Sequence, residues 1–192
     1  MKKILLIVIL ILSFQTLANA DNIKDFEIEG ITIGDSLLDY YSEDEIKKKF
    51  FYKSKKYFSF SSTKYSSKNY DGLQFHIKSS DNTYKIVAIE GIKLFVDKFN
   101  ECKDLKQIIV NQLSSMFINA EKRQQDGNHT FDTTGNSKFY STLFYLNPNN
   151  KFSSIKVTCY DWSEKLEKKF GDKLSVSIHT QPFQTFMAEE AY

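Results

Sequence analysis

The chain has little proline and little glycine: two and seven among 192 residues. That scarcity argues against proline- or glycine-rich linkers and repeats. Only two cysteines, three histidines and one tryptophan are present. No Cys–x–x–Cys or His–Glu–x–x–His spacing occurs, and none of His76, His129 and His179 has a second ligand type at metal spacing. No metal site and no cofactor are therefore expected. There is no Gly–x–Ser–x–Gly elbow and no phosphate-cradling glycine loop, so no catalytic residue is assigned.

Beyond residue 20 there is no second long apolar run, so no transmembrane segment is expected there. The first twenty residues are different. Lys2 and Lys3 precede an apolar run from Ile4 to Leu12, and Ala18, Asn19 and Ala20 give a small–x–small end. That is the pattern of a cleaved secretory signal peptide, residues 1–20. Cleavage would leave 172 residues, 21–192, a normal length for a single domain. No cysteine lies near the cleavage point, so lipid attachment is not expected. The expected location is periplasmic or secreted.

The signal holds two of the 26 basic residues and none of the 24 acids, so the remainder is neutral. Neutrality together with export gives no reason to expect a nucleic-acid partner. At 41% hydrophobic residues there is enough apolar side chain for a core. Cys102 heads the helical stripe Leu105, Ile109, Leu113, Met116 and Ala120. Cys159 ends the alternation Ile155, Val157, Cys159. Both sulfurs then face one core, and an oxidising compartment favours a Cys102–Cys159 disulfide, two unpaired core thiols being the alternative.

Periodicity gives strands over 57–60, 73–77, 84–95, 139–146, 152–160 and 174–178, with Phe26 to Ile28 as a shorter one. A long helix is expected from Glu101 to Lys122, capped by Asn100. Short helices follow Ser42 (a capping box with Glu45) and Asp161 (with Glu164), the latter ended by Gly171. Residues 123–136 read as a polar break, 147–150 as a hairpin turn, and 181–192 as a tail without period. The fold class is α+β: an antiparallel sheet packed on one face by a long helix and two short helices. Gln74, His76, Lys78, Ser175, Ser177 and His179 are expected on a solvated sheet face.

Charge is segregated. Residues 21–45 carry nine acids and Lys24 alone among bases, whereas 46–70 carry only lysines interleaved with aromatics. Lys47, Lys48, Lys53, Lys55, Lys56, Tyr57 and Lys64 are the candidate partner surface. An envelope protein, an anionic glycan or a lipid headgroup suits an exported chain. The alternative is a plain solvated surface. Asp35 and Asp39 share a face if their turn is helical, the spacing of paired carboxylates or of simple N-terminal charges.

The run Glu29–Gly30–Ile31–Thr32–Ile33–Gly34–Asp35–Ser36–Leu37–Leu38, with Lys85 to Cys102, resembles small exported proteins of unknown function from AT-rich marine alphaproteobacteria. The glycine-led opening is also similar, at fold level, to SmpA/OmlA-type outer-membrane assembly proteins. The first resemblance implies location and not chemistry. Three readings follow: a non-enzymatic periplasmic binding or adaptor protein; a carrier of a small apolar ligand held between sheet and helix; and a hydrolase using carboxylates or the histidines. The oligomeric state is not specified.

Overall fold

The computed structural model describes residues 26–146 and 153–191. The expected signal segment and the turn at 147–150 lie outside the described residues. Eight strands form one antiparallel sheet. They are β1 (Phe50–Phe51), β2 (Tyr57–Ser62), β3 (Gly72–Lys78), β4 (Ile86–Leu94), β5 (Glu121–Asn128), β6 (Lys138–Tyr145), β7 (Ser153–Asp161) and β8 (Lys173–Thr180). Their order is β1-β2-β3-β4-β8-β7-β6-β5. Two meanders, β1 to β4 and β5 to β8, therefore meet along β4 and β8. The α+β class holds.

Helix α2 (Phe99–Met116) carries the chain from β4 across to β5, and it packs on β7 and β8. Alternation puts Ile155, Val157, Cys159, Leu174, Val176 and Ile178 on the face beneath it, each no more than 2% exposed. Burying such side chains contributes about 1.5–3 kcal/mol each. Cys102, in the first turns of α2, is disulfide-bonded to Cys159. The helix begins at Phe99 instead of Glu101, with Lys98 and not Asn100 at the cap position, and it stops at Met116. It stops early because Phe117 turns its ring into the core, 6.3 Å from Phe26, and Glu121 begins pairing with Tyr145. The short helix α1 (Glu43–Ile46) has the expected Ser42/Glu45 capping box and buries Ile46. A 3-10 turn, Leu37–Asp39, buries Leu37 on the same side.

Several expectations need correction. The first part of the expected break at 123–136, with the end of the expected helix, is instead β5, paired along its whole length with β6. Gly127 makes room there for Phe139, whose ring stands 3.2 Å from where a Cβ would lie. Phe26 to Ile28 is no strand; Ile28 makes only an isolated bridge to Ile31. Helix α3 (Glu164–Phe170) starts from Ser163 without a side-chain cap, because Asp161 belongs to β7. Gly171 ends it as expected, at φ 65°. The tail is not aperiodic. It forms α4 (Gln181–Glu189), with Pro182 in its first turn.

Helix α4 covers part of the sheet face opposite α2. Phe183 and Phe186 are buried there with Tyr52, Tyr57 and Ala88. The expectation of a solvated face thus fails in its middle. His76, Ser175 and Ser177 are each 3% exposed, while Gln74 is half-buried and Lys78 exposed. Among the described residues, no helix is long and apolar enough to cross a membrane.

Candidate functional site

The lysine-rich segment becomes a hairpin at one edge of the sheet. Ile46 is buried and pins the end of α1, so Lys47, Lys48 and Lys49 lead directly into β1. Phe50 pairs with Ser59 and Phe51 with Phe58, which points the two rings to opposite faces. Both rings remain out in solvent, 67% exposed for Phe50 and 43% for Phe51. Tyr52 turns back inside, its hydroxyl 2.8 Å from His76 Nδ1. The tip follows, with Lys55 at φ 56° donating its N–H to the Tyr52 carbonyl. Tyr57 then opens β2.

The seven candidate residues part company here. Lys47 pairs with Asp44 at 2.6 Å. Lys56 pairs with Glu190, beyond the end of α4. Lys64 lies 3.8 Å from Glu45, donates to the Tyr40 carbonyl and sits over the Tyr41 ring. Acids of the 21–45 stretch thus neutralise two of these lysines. Tyr57 is not a surface residue. It is 9% exposed, and its ring centre lies 4.6 Å from that of Phe186. Burial pushes its phenol pKa up, against the opposing field of Lys56. Lys48, Lys53 and Lys55 are exposed, and among the described residues no carboxylate stands within ion-pair reach of them.

Lys49, which the sequence reading did not single out, completes the set. Its amine lies 4.5 Å from the Phe58 ring centre and 5.3 Å from that of Phe51. Phe50 and Phe51 were also not singled out as site residues, although a phenylalanine pair between lysines is visible in the sequence. The outcome is a short edge with two exposed phenyl rings, flanked along the chain by four lysines that have no ion pair among the described residues. Chemically it attracts diffuse negative charge and offers apolar surface.

The histidines are not gathered together. His76 and His179 share the face under α4, separated by Ala88 of β4, with Phe183 against both rings. Burial pushes each imidazole down to about 3; Lys173 adds to it for His76, and His76 and Lys156 add to it for His179. Both are therefore neutral at pH 7. His129 lies elsewhere, 4.6 Å from the Trp162 ring, its Nδ1 accepting the Phe131 N–H. Among the described residues, no group of three His, Cys, Asp or Glu side chains is placed to hold a metal. Asp35 precedes the 3-10 turn, so it does not share a helical face with Asp39. It accepts from the Thr32 N–H and the Tyr40 hydroxyl.

An open cleft of about 260 Å³ lies beside α4, lined by Glu121, Arg123, Tyr145 and Gln184 among others. It lies beside α4 and not between α2 and the sheet, where the carrier reading places its ligand. The interface of α2 with the sheet, where such a ligand was expected, is filled by Val110, Leu113, Cys159 and Val176.

No family model and no curated protein matches the chain. Two solved structures are similar to it. One is the Ran-binding protein Mog1p of Saccharomyces cerevisiae, and the other is a mutant of protein Mog1. Each is 12% identical, and the match covers 73% of this chain and 82% of that one. The TM-score is 0.30 in both cases, so neither carries a functional inference.

Proposed function

We propose that this is an exported, non-enzymatic binding or adaptor protein of the periplasm or the extracellular space. It engages an anionic envelope component through the β1 edge. The observation that carries the reading is the set Lys48, Lys49, Lys53 and Lys55, none of them ion-paired among the described residues, flanking the exposed rings of Phe50 and Phe51 along the chain. Charges that the fold does not use for its own stability remain available to a partner. The signal pattern at 1–20 supports the compartment, and so does the Cys102–Cys159 bond.

The test uses dextran sulfate as a soluble polyanion. The wild type should be retained on it at low salt and released as salt rises, because the screening length falls from about 10 Å at 0.1 M to about 3 Å at 1 M. The variant Lys48→Glu/Lys53→Glu/Lys55→Glu should be released at much lower salt while melting at nearly the same temperature. Equal retention of the two proteins would sink the reading.

A further inference from the structure

We propose that the surface docked by the β1 edge is an anionic bilayer, with Phe50 and Phe51 entering the headgroup layer and Lys48, Lys49, Lys53 and Lys55 against the phosphates. This rests on the anion-binding reading above and names its partner.

The geometry separates a bilayer from other polyanions. Phe50 and Phe51 are neighbours in one strand, so their rings leave the sheet on opposite sides. A partner lying on either face of the sheet meets one ring only. A plane approached edge-on meets both. The strand is only two residues long and is bounded by lysines, so its free backbone is a poor template for a strand of another protein. Lys49 runs along this apolar edge with its amine among the rings of Phe51, Phe58 and Tyr84. The ammonium itself rests on these ring faces, which holds a positive charge directly beside the apolar edge. Four lysines spread over eight positions suit an extended layer of charge better than a single carboxylate.

The edge is also held firmly. Tyr52 anchors it from within, through His76, Phe183 and Phe186. Lys56 ties the hairpin tip to Glu190. The acids nearest in sequence are engaged: Asp44 with Lys47 and Glu45 with Lys64. Only Glu43 of α1 has no ion pair among the described residues, so the edge keeps a net positive charge.

The experiment is co-sedimentation of the exported form, residues 21–192, with vesicles of phosphatidylglycerol and phosphatidylcholine, against phosphatidylcholine alone. Binding should need phosphatidylglycerol and should vanish near 1 M salt. Each lysine close to an anionic leaflet is worth roughly fivefold in affinity. Lys48→Glu/Lys53→Glu/Lys55→Glu should therefore weaken binding by at least about 100-fold. Phe50→Ser/Phe51→Ser should weaken vesicle binding by about tenfold or more and leave retention on dextran sulfate as in the wild type. Phe50→Leu/Phe51→Leu should restore the vesicle binding, which excludes a folding defect as the cause. If Phe50→Ser/Phe51→Ser sediments like the wild type, the bilayer proposal is overturned and the anion reading stands. The same holds if the wild type is retained on dextran sulfate but ignores the vesicles. If it binds neither, both readings fall together.

Discussion

Acid should destabilise this fold through two buried histidines, at pH values above the ordinary carboxylate range. His76 and His179 are held near pKa 3 by burial beneath α4, whereas an unfolded histidine titrates near 6.5. Below pH 6.5 the unfolded chain therefore binds protons that the folded chain refuses. Stability is complete above that value and falls as pH drops toward 3. At about pH 5 each histidine has cost about 2 kcal/mol, some 1.5 pH units at 1.36 kcal/mol each. Burial also lowers the His129 pKa, which acts in the same direction. Asp172 opposes it. Its carboxyl is raised to about 6 by burial, with Glu167, Asp161 and Asp97 adding, so it gains stability as it protonates in the fold. That returns about 1 kcal/mol by pH 5. The net loss between pH 7.5 and pH 5 is about 3 kcal/mol, an appreciable part of the 5–15 kcal/mol that such a domain possesses. Urea titration at the two pH values measures it. With a slope of about 2 kcal/mol/M, the midpoint should fall by roughly 1.5 M. The control is His76→Asn/His179→Asn, less stable at pH 7.5 but losing far less on acidification. If this variant and the wild type show the same acid shift, the two buried rings are not its source and the reasoning fails.

Two further outcomes concern stability. Phe183→Ala removes the ring that touches Tyr52, Tyr57, His76 and Phe186, and should cost about 3–5 kcal/mol in urea unfolding. It should also raise the His76 pKa from about 3, which NMR titration reads directly. Replacing Cys102 and Cys159 together by serine opens a loop of separation 57 and should cost about 4 kcal/mol; a loss under 1 kcal/mol would mean that the unfolded chain is not constrained as the loop-closure argument requires.

The inner strands were readable because both the core face and the pairing depend on one period. Leu73, Phe75 and Ile77 alternate cleanly, and every one is buried. β5 was not readable because it is an edge strand with no apolar alternation. Its residues Glu121 to Asn128 are held by pairing with Tyr145 to Lys138, a long-range fact that no local pattern carries. α4 was missed for a smaller reason. Phe183, Phe186 and Met187 do have helical spacing, but over only nine residues, too short to stand out from an irregular tail. Missing α4 explains two further errors. Without a helix on that face, His76 looks solvated, and Tyr57 looks like a member of the lysine surface. The lysines themselves were legible. Which of them are neutralised was not, since Lys56 meets a glutamate from the far end of the chain.

The seam between the two meanders bears on how the protein can be made. β4 can pair with β3 as soon as both are free to fold, but its other partner, β8, is the last strand in chain order. Until β8 pairs, Ile86, Val87, Ile89 and Ile92 stand along a strand of nine residues, rich in β-branched side chains, with one edge open. That is a template for intermolecular pairing, and the longer it is open the greater the loss to aggregation. Escort of the nascent chain, and not the stability of the finished fold, should therefore limit its yield. Refolding at rising protein concentration should lower the soluble fraction, and a holding chaperone that covers β4 should restore it.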